Sequence, residues 1–233
     1  MASGSKSFSF KPSLMKFLKE LAKNNNRDWF QANKPRYEEQ VLEPALAFLT
    51  ALEAPFKKRV SPYFKVIAKR SGGSLMRIYR DTRFSKDKTP YKTNVGIHIR
   101  HELGKDVHAP GFYFHIEPDE IFVGAGVWHP DSSALFQIRE HIVDSDLEWS
   151  RIVNSRKIKA TFSRPGDTLK RPPRDFDADH PLIEDLKRKD HFLLANFTAK
   201  QLQQPDIVKQ TIDHFVQTKP FVRFLCEALQ QPF

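Results

Sequence analysis

The sequence predicts an α+β fold in which helices from both ends of the chain pack on a central antiparallel or mixed sheet. Three observations predict it. Apolar residues recur every three or four positions near both termini, they alternate at every second position through the middle, and two alternating runs flank a tight turn at about residues 111–128. Strands that are neighbours in sequence favour this arrangement over alternating βαβ units.

Leu14, Phe17, Leu18 and Leu21 form one apolar stripe after Ser13, a candidate N-cap. Asn24 to Asn26 is expected to end this helix, because asparagine tolerates the left-handed conformation of a helix C-terminus. Arg27 to Phe30 then opens a short turn or helix. Pro35 suits the first turn of a second long helix carrying Tyr37, Val41, Leu42, Ala45, Leu46, Leu49 and Leu52, with Pro44 as a kink. The period then changes to two. Phe64, Val66 and Ala68 alternate with polar neighbours, as do Val95, Ile97 and Ile99. Phe112, Phe114 and Ile116, a turn at Pro118-Asp119, then Ile121, Val123, Ala125 and Val127 make a β-hairpin.

Helices follow at about Asp131 to Val143 and after Ser145, which has capping-box spacing to Glu148. Lys157 to Phe162 reads as a further strand. Ser163 to Pro181 is a loop rich in proline and charge, with Asp179 a candidate N-cap for a helix over Leu182 to Lys189. Phe192 to Phe197 is extended, and helices near Asp206 to Gln217 and Pro220 to Leu229 close the chain. Residues 10–233 are expected to form one domain, with residues 1–9 a frayed or cloning-derived end.

The 233 residues carry a formal charge of +10, unevenly distributed. Lys65 to Lys92 holds nine Lys or Arg against Asp81 and Asp87, and Arg156 to Arg174 holds seven against Asp167. Positive charge confined to two segments points to an anionic partner or to solvated basic faces. Twenty phenylalanines supply either a Phe-rich core or surfaces for stacking. No run approaches the ~20 apolar residues of a membrane span, and Met1 to Ser9 lacks a signal-peptide core, so a cytoplasmic protein is expected. The single cysteine, Cys226, excludes an internal disulfide framework and sits in an apolar helical pattern.

The densest basic run, Arg77 to Tyr91, is the candidate site. Arg77, Arg80 and Arg83 are spaced by three and can converge on phosphate or carboxylate oxygens. Lys86 and Lys88 lie in a turn, and Asp81 and Tyr91 can orient the cations. The alternative is an Arg/Asp network that ties a loop to the sheet.

The pattern Arg77-x-x-Arg80-Asp81-x-Arg83-Phe84-x-x-Asp87-Lys88-x-Pro90-Tyr91 resembles the defining motif of an uncharacterised bacterial and fungal family catalogued as domain of unknown function 2461. Further family-like pieces lie at Asn25 to Phe30 with Asn33-Lys34, at Gly126-Val127-Trp128, at Leu169 to Pro173, and at Phe176-Asp177 with Asp179 to Pro181. The resemblance runs from about Phe10 onward. It implies a one-domain protein of this length and carries over no activity.

Strand parity adds a second group. If Val95, Ile97, Ile99, Phe112, Phe114, Ile116, Ile121, Val123 and Ala125 face the core, the opposite face carries His98, Arg100, Tyr113, His115, Glu117, Phe122, Gly124, Gly126 and Trp128. Bare glycine backbone between aromatic walls would make either a cleft beside the basic run or a second packed face. His115, Glu117 and Asp81 are the candidate acid–base groups, while the cofactor is unspecified. His98, His101, His108, His115 and His129 follow no recognisable ligand spacing, so no metal is expected. No Walker loop, Rossmann fingerprint, nucleophile elbow or kinase signature occurs. These residues predict binding of a phosphorylated or other anionic small molecule. The alternatives are nucleic-acid binding, with Tyr79, Phe84 and Tyr91 stacking on bases, and a non-catalytic interaction module.

Overall fold

The computed structural model describes residues 8–103 and 109–233. Its helices and five antiparallel strands make the predicted α+β fold. His108 lies outside the described residues.

Helix α1 (Pro12–Lys23) buries Leu14, Phe17, Leu18 and Leu21, the expected stripe. Proline supplies its first turn and Lys11 its N-cap, so Ser13 lies inside rather than capping. Asn24 ends it without a left-handed residue, at φ −128°, and its side-chain amide donates to the Glu20 carbonyl. Asn26 accepts from the Trp29 N–H and so caps α2 (Arg27–Tyr37). Pro35 lies within α2, and the helix runs on through a π turn (Glu38–Leu42) into α3 (Glu43–Arg59). In that turn the Glu43 N–H donates to the Glu38 carbonyl five residues back, a wider ring immediately before Pro44.

The sheet is a meander in sequence order: β1 (Phe64–Lys65), β2 (Val95–His101), β3 (Gly111–Ile116), β4 (Ile121–Val127) and β5 (His191–Asn196). The predicted first strand shrinks to two residues because Ser74 to Met76 takes over the edge of β2: the Met76 N–H donates to the Gly96 carbonyl and the His98 N–H to that of Ser74. The outer edge of β5 is bridged by Ser163. Both edges are thereby blunted.

After β4 come α4 (Ser132–Asp144), capped by Asp131, and α5 (Asp146–Val153). Ser145 makes no side-chain cap bond despite its spacing to Glu148. Lys157 to Phe162, read as a strand from sequence, falls instead largely in helix α6 (Arg156–Thr161). Ser155 accepts from the Ile158 N–H there, and Ile158 alone is buried. Helix α7 is only Ile183–Leu186 with Leu182 as its N-cap, so Asp179 caps nothing; the amides of Asp179 and Leu182 are taken by the side chains of Asp177 and His180. The chain closes with α8 (Ala199–Leu202), α9 (Ile207–Gln217) and α10 (Lys219–Ala228).

Helices α3, α9 and α10 meet the sheet on one side. Phe112 packs against Phe56 of α3 at 5.2 Å and Phe215 of α9 at 5.0 Å between ring centroids. Every residue assigned to the core face by parity is buried, and most phenylalanines are buried with them. Cys226 is buried in α10, and burial pushes its thiol up to about 12. No helix of the described residues is long and apolar enough to cross a membrane.

The two basic segments do not share one field. Lys65 to Lys92 borders β1 and β2, whereas Ser163 bridges to β5, so the segments flank opposite edges about 19 Å apart across the sheet. The second segment is tied down by Arg188, which donates to the Arg164 and Pro165 carbonyls, and by an Arg164–Asp185 ion pair.

Candidate functional site

The basic run becomes a loop pinched at its base. The Arg80 N–H donates to the Pro90 carbonyl and the Lys92 N–H to that of Ile78, at 2.9 and 2.7 Å, so Asp81 to Thr89 projects beyond a closed neck. Within it Asp87 accepts from the Thr89 amide and hydroxyl at 2.9 and 3.0 Å and pairs with Arg80. Arg80 also donates to the Thr89 hydroxyl. Asp81 receives both Nε and Nη2 of Arg83, at 3.0 and 2.7 Å, and Lys88 donates to the Thr82 carbonyl at 2.9 Å. These bonds hold both carboxyls well below their usual range, at about 2; the guanidinium of Arg83 dominates for Asp81 and the Thr89 amide for Asp87.

Arg80, Arg83 and Lys88 are therefore spent inside the loop. Tyr91 is only 2 % exposed and stacks on Phe30 at 4.0 Å, which makes its ring part of the core. Phe84, at the tip with Lys86, is 95 % exposed.

Arg77 points elsewhere. It lines a cleft of about 610 Å³ along the β1–β2 edge, with Lys65, Arg70, Tyr79, Lys92, His98 and Arg100 among the other walls. Several of these charges are already matched: Lys65 pairs with Glu102 at 2.7 Å, and Arg70 pairs with Glu43. Asp81 and Glu102 also line the cleft, but Arg83 and Lys65 hold them. Arg77 and Lys92 have no carboxylate partner among the described residues. Burial first, and the positive charge of Arg77 second, hold the Lys92 ammonium below its ordinary range. Burial and Arg100 hold His98 down to about 4, so at neutral pH its Nδ1 is an acceptor, and Arg100 Nε donates to it at 3.2 Å. A smaller hollow on the other side of Lys92 is lined by Asn25, Arg80, Asp87 and Asn94.

The predicted second sheet face exists, and it divides. Cross-strand pairs His98–Tyr113, Tyr113–Gly124 and His115–Phe122 set its side chains in register. Only His98 and Arg100 reach the cleft. Farther along, His115 stacks on Phe122 at 4.8 Å, its Nε2 lies 3.2 Å from Glu117, and its Nδ1 lies 3.3 Å from the Asn94 amide and 3.4 Å from the Tyr113 hydroxyl. Thr93 donates to the other Glu117 oxygen at 2.6 Å. Burial raises the Tyr113 phenol to about 12. Trp128 stands apart, with its ring edge-on to Phe192 at 4.5 Å.

Glycine matters on this face at Gly96, Gly111 and Gly126, of which only Gly126 was singled out from sequence. A Cβ on Gly96 would lie 2.6 Å from the Tyr113 hydroxyl and 3.0 Å from the Met76 sulfur, and one on Gly111 would lie 2.7 Å from His98 Nε2. Gly96 and Gly111 thus let Tyr113 and His98 lie flat across the strands. Gly124 has only ordinary neighbours, while Gly126 is required by its backbone, at φ +133° with the His191 carbonyl 2.2 Å from any Cβ.

Sequence reasoning missed Lys92 and Asn94 as site residues, and named Tyr79 only as a surface on which bases could stack. Lys92 directly follows the basic run; that adjacency was the available signal. Among the described residues no three His, Cys, Asp or Glu side chains converge as a metal site.

Residues 13–224 match the family described as conserved hypothetical protein DUF2461. The chain belongs to this family. No curated protein and no solved structure matches it. The DUF2461 match spans the described sheet, the basic loop and the cleft, from α1 into α10.

Proposed function

We propose that this DUF2461 protein binds a phosphorylated or otherwise anionic small molecule in the cleft beside β2. One observation carries the reading: Arg77 and Lys92 both line the cleft, close enough for one to depress the other's proton affinity, and every lining carboxylate is already paired. Two like charges held together repel, and an anion between them relieves that repulsion. A charge-assisted hydrogen bond contributes roughly 1.5–3 kcal/mol, so a few of them reach the ~8 kcal/mol of micromolar affinity once ordering costs are met. Arg80, Arg83 and Lys88 act at one remove in this reading, by shaping the loop at the cleft mouth.

The test is a thermal-shift titration with inorganic phosphate on the parent, Arg77→Gln and Lys92→Gln. Phosphate is expected to raise the parent's Tm, with each variant weakening the response at least tenfold in phosphate concentration. An equal rise in all three proteins would defeat the reading. Arg77 is exposed and Lys92 half-buried, so both variants are expected to stay folded.

A further inference from the structure

The loop from Asp81 to Thr89 ties the side chains of Asp81, Arg83, Asp87, Lys88 and Thr89 into its own frame, and the residue it displays is a phenylalanine. A lone exposed apolar side chain is ordinary. Phe84 differs in its setting. The Asp81–Arg83 pair, the Arg80–Asp87–Thr89 cluster and the Lys88–Thr82 bond fix the backbone on both sides of it. A ring that is 95 % exposed is thus presented on a braced support, with the Arg83 guanidinium 5.8 Å from its centroid and Lys86 exposed two residues on. Five residues back, Tyr79 is 50 % exposed on the cleft wall that Arg77 and Lys92 also line. The Cα atoms of the two aromatics are at most about 18 Å apart along the chain.

Separate rings alternating with cations are a poor core for a protein interface, which needs a contiguous apolar patch that excludes water. They suit a strand of nucleotides, where each base needs one ring face and each phosphate one cation. We infer that the Phe84 loop and the adjoining cleft bind single-stranded nucleic acid, with a phosphate between Arg77 and Lys92 and bases stacking on Tyr79 and Phe84. This inference rests on the Arg77–Lys92 anion site proposed above and narrows its ligand, from a free small molecule to a phosphate of a polynucleotide strand. Tyr91 takes no part, because its ring is buried against Phe30.

Fluorescence polarisation with a labelled ten-nucleotide oligodeoxythymidine tests it at low salt, beside a duplex of the same length and the phosphate thermal-shift titration. The parent is expected to bind the single strand more tightly than the duplex. Phe84→Ala should weaken that binding on the order of tenfold and leave the response to phosphate unchanged, and Tyr79→Ala should weaken it by a similar factor. Phe84→Leu, apolar but not planar, should bind as poorly as Phe84→Ala. Parent-like binding by Phe84→Ala, or by Phe84→Leu, overturns base stacking at this ring, and equal affinity for duplex overturns the single-strand assignment. A parent that responds to phosphate but not to the oligonucleotide sinks this inference alone. A parent that responds to neither sinks the cleft reading with it.

Discussion

Asp87 holds three donors at once, the Thr89 amide, the Arg80 guanidinium and the Thr89 hydroxyl, and these bonds lower its carboxyl to about 2. A carboxyl whose folded value lies below its unfolded value lends its support above the unfolded value and loses it as the pH falls through the folded one. The Thr89 amide proton shift in an NMR titration should therefore move with a midpoint near pH 2 rather than near 4. Asp87→Asn should abolish that transition while changing the Tm by no more than about 2 °C, because the group is at the surface. The charges of this loop were legible in the sequence, but their partners were not. Arginines three apart are equally consistent with a shared ligand and with separate partners. Only the pinched neck at Arg80 and Lys92 turns Arg80 and Arg83 inward and leaves Arg77 in the cleft.

In β4, two glycines of the same strand face should respond oppositely to substitution. Gly124→Ala meets neighbours no closer than 3.6 Å and should change stability by less than about 1 kcal/mol. Gly126→Ala must carry a side chain at φ +133° against the His191 carbonyl at 2.2 Å, backbone that cannot step aside. It should cost about 3 kcal/mol or more, seen as a Tm lower by roughly 6–12 °C. Parity placed both residues on the right face, because the side-chain period of a strand is exact. It could not reveal that Gly126 adopts a conformation closed to other residues. Short elements were harder still to read. Lys157-Ile158-Lys159 fits a period of two as well as one helical turn, and the cap from Ser155 decides for α6. The long stripes of α1 and α10 had no such ambiguity.

Across the whole molecule, a buried and a half-buried neutral histidine couple folding to pH. His98 is held down to about 4 by burial and Arg100. His191, with no exposed surface, is held well below its ordinary value by burial and then by Arg164, Arg188 and Arg139. Both folded values lie below the unfolded one, so the stability they contribute is complete above about pH 6.5 and declines as the pH falls below it. Each contributes a slope of up to roughly 1.4 kcal/mol per pH unit there. Urea midpoints should accordingly drop between pH 6.5 and 5, and His98→Asn should flatten the drop; an unchanged slope would reject the assignment for His98. The sequence by itself determined the α+β class, the β3–β4 hairpin, the core face of the sheet and the identity of the basic loop, since periodicity and turn chemistry are local. Tertiary structure alone decided which cations remain free. That choice depends on which carboxylate each one meets, and Lys65 meets Glu102 and Arg70 meets Glu43 only because the chain folds back on itself.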